Sequence, residues 1–151
     1  MERITGMLEW LHGSVQEHSA PWCFVILDTL HITQCARPGT VQWNAVQFFD
    51  QRLASLDCKL LFLKTSSASI WERGLVPRKN EQFLVQYARK FGNTPEEIHQ
   101  YFVSEQELLG ELFARSTMPK LPLDGDRPSG EVLEEAYEFW TDSPRKALAV
   151  S

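Results

Sequence analysis

The chain has 151 residues, of which 43% are hydrophobic, 23% charged and 11% aromatic, and its formal net charge is −5. That length and composition suit one folded domain of 1–141 with a frayed tail at 142–151, and exclude a disordered or collagen-like chain. The acidic balance argues against general nucleic-acid binding, and no apolar run reaches the roughly 18–20 residues of a membrane span.

The first segment, 2–17, carries Ile4, Met7, Leu8, Leu11 and Val15 as one stripe of an amphipathic helix that stops before Pro21. The run 22–28 (WCFVILD) is apolar without alternation and ends in a carboxylate, which suits a parallel strand covered on both faces. After Arg37-Pro38-Gly39, a helix fits 40–56, with Val46, Phe49, Leu53 and Leu56 on one face. Residues 59–65 form a second buried strand, and 66–73 a short helix opened by serines that can cap it. Gly74 and Pro77 break the chain.

A helix follows at 80–91, with Gly92 as its stop. Thr94-Pro95-Glu96-Glu97 has threonine at the cap, proline at the first helical position and glutamate three residues on, the pattern of a capping box. Behind it Ile98, Tyr101, Phe102, Leu108, Leu109, Leu112 and Phe113 carry an apolar face to about Arg115. A third strand spans 120–124, and its Pro122 assigns it to a sheet edge. The closing helix, 128–140, turns Val132, Leu133, Ala136, Tyr137 and Trp140 inward.

Strands alternating with helices give an α/β three-layer sandwich, a short parallel sheet (strands near 22–28, 59–65 and 120–124) flanked by helices. Ligands in such sheets sit beyond the carboxyl ends of the strands, here Asp28, Lys64-Thr65 and Asp124-Gly125-Asp126. Charge is unevenly spread. Between 59 and 90 there are seven basic residues against two acids, and between 93 and 140 eleven acids against three bases. Two readings fit: solvated helix faces, or an anion site in the basic block beside acidic packing helices.

Asp28 at a strand end can hold magnesium through water or accept a proton from a hydroxyl nucleophile, and can equally cap a turn. His31 is then a ligand contact or simply a partner for Asp28. Arg73 and Arg78 flank a Gly and Pro break, the kind of loop that brings guanidinium groups to a transferring phosphoryl, with Lys79 beside them. Four histidines and three cysteines show no paired zinc-ligand spacing, and Cys35, four residues after His31, is weak ground for a thiol nucleophile. The three cysteines share no disulfide-framework spacing, and the N-terminus lacks the basic-then-apolar pattern of a secretory signal, so a cytoplasmic location is expected. The five tryptophans fall mostly on apolar faces and read as core.

The strand ending in Asp28, Ser67 to Gly74 after the second strand, the arginine-bearing loop and the segment Leu121 to Pro128 before a final amphipathic helix form a joint pattern. It resembles the C-terminal two-thirds of P-loop nucleoside and nucleotide kinases, the thymidylate-kinase-like branch. The resemblance implies that Asp28 lies near magnesium and the acceptor, that Arg73 and Arg78 belong to a lid over the phosphates, and that Arg37 touches phosphate. It also implies that Asp124 to Pro128, with Asp126, lies near the nucleotide base. Where the family often has arginine after the aspartate, this chain has Thr29.

The family's loop Gly-x-x-x-x-Gly-Lys-Ser/Thr, whose amides and lysine cradle phosphates, does not occur in this sequence. The expectation is therefore a degenerate or truncated kinase-like domain missing its first strand-loop-helix unit. Its ancestral activity would be phosphoryl transfer from ATP, with Mg, to a nucleotide or small hydroxyl acceptor. A homodimer or a partner segment would cover the incomplete sheet. The alternative is a non-catalytic protein-interaction domain that uses its acidic helical face.

Overall fold

The computed structural model describes residues 5–10, 12–13, 31–36, 41–76 and 90–141. The expected strand at 22–28, most of the expected helix at 80–91, and the tail at 142–151 lie outside them. The described residues form a mixed helix and strand, α/β arrangement with a short parallel sheet of two strands.

Residues 5–10 and 12–13 are helical. Leu8 of the expected stripe is buried, whereas Met7 is exposed. Helix α1 spans His31–Ala36 and packs on α2, Trp43–Ser55. The buried stripe of α2 is Val46, Asp50 and Leu53, so a carboxylate sits where the apolar spacing predicts only aliphatic and aromatic side chains. The helix ends in a Schellman motif: the Cys58 amide donates to the Leu53 carbonyl (3.1 Å) and the Asp57 amide to Ala54 (3.3 Å). Asp57 holds the left-handed position at φ 55°, where glycine is the usual occupant.

Strand β1, Leu60–Lys64, leads into the three-residue helix α3, Ser67–Ser69, and a π-helical turn, Ile70–Leu75. Ser66 caps α3 by accepting from the Ser69 amide at 3.2 Å. Helix α4 is Pro95–Arg115. Thr94 Oγ1 accepts from the Glu97 amide (3.2 Å), and Glu97 reaches back to the Asn93 amide (2.6 Å). The capping box forms, with its return bond one residue earlier than in the usual pattern.

Strand β2, Lys120–Asp124, pairs with β1, and α5 spans Ser129–Thr141. The inward face expected of α5 is found only in part, with Val132, Ala136 and Trp140 half-buried. None of its residues is buried, and Leu133 and Tyr137 are 70% and 65% exposed. A strong apolar period needs a surface to pack on, and the part of this face at Leu133 and Tyr137 stays open.

Contacts divide the chain into two compact units, Met1–Leu60 with Glu111–Lys120, and Leu61–Gly110 with Leu121–Ser151. The first has a core of Leu8, Leu53 and Met118, packed by Ala54, Leu56, Cys58 and Leu60. The second is centred on Leu75 and Ile98, packed by Trp71 and Phe102.

Candidate functional site

The exit of β1 is built from the backbone outward. The Gly125 amide donates to the Lys64 carbonyl at 2.7 Å, continuing the ladder one residue past β2. Gln106 of α4 then takes both backbone groups of Thr65. Its Oε1 accepts from the Thr65 amide (2.9 Å), and its Nε2 donates to the Thr65 carbonyl (2.9 Å). The Ser66 amide donates to Asp126 Oδ2 at 2.8 Å. A Cβ on Gly125 would lie 2.6 Å from Thr65 Cγ2 and 3.1 Å from Leu63 Cγ, so this close approach requires glycine.

On the other strand, Asp124 Oδ1 accepts from the Asp126 amide (2.9 Å), a side-chain-stabilised turn. Asp126 in turn receives hydrogen bonds from the Ser69 and Ser66 hydroxyls and the Ser66 amide, and with Arg73 nearby these hold its carboxyl below the ordinary carboxylate range. Arg73, from the π-helical turn, donates from Nη1 to the Gly125 carbonyl at 2.9 Å and lies 4.0 Å from Asp126 Oδ1. Its side chain is 61% exposed.

An open pocket of about 360 Å³ lies at these strand ends, lined by Lys64, Thr65, Ser66, Pro122, Leu123 and Asp124. The amides of Thr65 and Ser66 are already bonded within the protein. This wall is therefore no amide cradle for phosphate. An anion here would have to meet side chains, Lys64 in the wall and Arg73 beside it.

Comparison with protein-family models, with curated proteins and with solved structures finds no match to this chain. The site must be judged on its own geometry. Of the residues singled out in the sequence, Arg73, Asp124 and Asp126 come together at the carboxyl ends of the two strands. Asp28, Arg37, Arg78 and Lys79 lie outside the described residues.

His31 is in α1, 1% exposed, with Nε2 at 3.0 Å from Asp50 Oδ1. A carboxylate only accepts, so Nε2 carries the hydrogen. Asp50, fully buried, takes two bonds on each oxygen. Ser116 Oγ (2.5 Å) and His31 reach Oδ1, while the Thr117 amide (2.7 Å) and Thr117 Oγ1 (2.8 Å) reach Oδ2. Burial pushes this carboxyl up, but the hydrogen bonds from Ser116, Thr117 and His31 outweigh it and hold the group below its ordinary range. His31 therefore belongs to a buried polar network with Asp50, Ser116 and Thr117.

Two residues central to these arrangements, Gln106 and Asp50, are not among the site residues to which the sequence points. Each sits on an apolar stripe: Gln106 four residues after Phe102, Asp50 between Val46 and Leu53. A polar side chain in an apolar register was the available signal, because burial obliges it to find partners. A further Ser–His contact is not a catalytic pair. His99 Nε2 lies 2.8 Å from the Ser67 carbonyl and must donate to it, so it cannot also take the proton of Ser67 Oγ at 3.1 Å.

Among the described residues no group of three or more His, Cys, Asp or Glu could hold a metal ion. Magnesium bound through one carboxylate and a ligand's own phosphates needs no such cluster. No helix among the described residues is long and apolar enough to cross a membrane.

Proposed function

We propose that this chain is a degenerate nucleotide-kinase-like domain that binds a nucleotide or another small phosphorylated ligand at the carboxyl ends of its parallel strands. The observation that carries the reading is a pocket at those ends lined by Lys64, Thr65, Ser66 and Asp124, with Asp126 in the adjoining turn and Arg73 bonded to that turn. Ligands bind parallel sheets at that position because the loops there can diverge from the strands. The finer architecture in this reading is a three-layer sandwich in which segment 22–28 supplies a further strand, within the cytoplasm.

Arg73 suits a phosphate-responsive role. A surface ion pair contributes about 0–1 kcal/mol, so an incoming anion can displace its contact with Asp126 at little cost. Arg78 and Lys79 extend the same basic segment, and in this reading Arg37 contacts phosphate, whereas His31 is taken up by Asp50 and is left out of the site. Asp28 is the carboxylate assigned to magnesium, which would arrive with the phosphates of ATP. Without Gly-x-x-x-x-Gly-Lys-Ser/Thr the chain does not transfer phosphoryl groups by itself.

The test is a thermal-shift titration with MgATP. At a ligand concentration of about 100 Kd, binding adds ~2.7 kcal/mol, a shift of several degrees for a chain of this size. The shift is expected in the native protein and lost in the double variant Arg73→Ala/Arg78→Ala. No shift at millimolar MgATP defeats the proposal.

A second reading, a non-catalytic interaction domain, is favoured by one observation. Leu133 and Tyr137 are exposed four residues apart on α5, with Glu134 and Glu138 exposed beside them. Such a face fits a basic amphipathic helix. Salt-sensitive binding of a lysine-rich amphipathic peptide, abolished by Leu133→Ala/Tyr137→Ala and independent of nucleotide, would separate this reading from the first.

A further inference from the structure

We propose that Gln106 is a positioning residue for the strand-end pocket, acting as a substitute for a neighbouring strand at the point where β1 leaves the sheet. The inference rests on the ligand-binding reading above and adds to it what sets the pocket's shape.

In a sheet, a residue at a strand end has an amide and a carbonyl that a neighbour would pair. Thr65 lies one residue beyond β1 and has no strand partner for these groups among the described residues. The carboxamide of Gln106 supplies an acceptor and a donor in the spacing a peptide unit would, at 2.9 Å for each bond. Its Oε1 also lies 3.4 Å from Thr65 Oγ1, so the same amide contacts the side chain that lines the pocket.

From the opposite side, Gly125 approaches so closely that Thr65 Cγ2 occupies the space its Cβ would need. Thr65 is thus held from two directions. Ser66, the next lining residue, is tied by its amide to Asp126, the acid that also faces Arg73. The path from Gln106 to Arg73, which bonds to the turn adjoining the pocket, is therefore short: Thr65, Ser66, Asp126, Arg73.

A side-chain clamp of this kind lowers the entropy that a ligand would otherwise have to remove from the wall. It also explains why a glutamine occupies an apolar register of α4. Leucine there would leave two backbone groups of a half-buried residue without partners.

The experiment compares MgATP affinity, by isothermal titration, for the native chain, Gln106→Met, Gln106→Glu and Gln100→Met. Methionine keeps the length of the side chain and removes both bonds. Glutamate keeps the acceptor for the Thr65 amide and loses the donor to its carbonyl. Gln100 is on the same helix but bonds to Ser104, away from the pocket, so its variant controls for general effects on α4. The expected result is a roughly tenfold weaker Kd for Gln106→Met, an intermediate loss for Gln106→Glu and no change for Gln100→Met.

Hydrogen exchange at the Thr65 amide reads the clamp directly, and should quicken in Gln106→Met while global stability measured in urea changes far less. Equal MgATP affinity for the native chain and Gln106→Met overturns the positioning role and leaves ligand binding standing. Failure of the native chain to bind MgATP defeats the ligand-binding reading, and the positioning role with it.

Discussion

At the scale of single residues, Asp50 is the side chain on which most depends. Four donors converge on its two oxygens from α1 and from the segment following α4. Asp50→Ala leaves those donors buried without an acceptor, and the expected loss is roughly 3 kcal/mol in urea unfolding at neutral pH. The pH dependence follows from the lowered carboxyl. The folded protein binds this proton less readily than the unfolded chain, so the stabilisation is fully present above the ordinary carboxylate value of about 4. It is lost as pH falls through the lower, folded-state value. Unfolding measured across the acid range should fall less steeply in Asp50→Asn than in the native chain. In the sequence this aspartate looks like any polar residue of an amphipathic helix. Its register between Val46 and Leu53 marks it as buried, but its partners Ser116 and Thr117 are more than sixty residues away and no local pattern names them.

At the scale of elements, the sequence makes legible those features whose interactions are local. The capping box at Thr94 to Glu97 and the serine cap at Ser66 both form, because each joins groups a few residues apart. The strands at 60–64 and 120–124 fall within the expected spans. The C-terminal end of α2 was not foreseen as a Schellman motif, since an aspartate and not a glycine holds its left-handed position. Asp57→Gly should therefore stabilise the protein, by roughly 0.5–1 kcal/mol, as relief of the left-handed strain exceeds the added chain entropy. A rise in the urea midpoint with an unchanged slope is the expected observation. The same substitution at an ordinary helical position would do the reverse.

At the scale of the whole molecule, the apolar faces of the described residues are not all buried. Leu63 of β1 is 55% exposed, and Leu133 and Tyr137 more so, although each lies in a run whose pattern predicts burial. Hydrophobic periodicity says which face could be buried; it does not say that a surface exists to bury it. Substituting Leu133→Ser and Tyr137→Ser together should leave unfolding stability within about 0.5 kcal/mol, as for other exposed positions. A loss of several kcal/mol would mean that this face is packed in solution. The acidic stretch of the chain also acquires a specific use. Glu131 and Glu135 of α5 both engage Arg127, while Asp126 meets Arg73, so part of the charge gradient is spent on pairs between its own basic and acidic members.

The α/β character, the helix caps and the placing of Asp124 and Asp126 at a strand end were determined by the sequence, because period, capping residues and turn chemistry act over a few residues. Tertiary structure alone decided that His31 is buried against Asp50, that Gln106 closes the exit of β1, and that the amides at that exit are unavailable to a phosphate. Each of those outcomes depends on which distant backbone group a buried polar side chain meets, and that is settled only when the elements are packed.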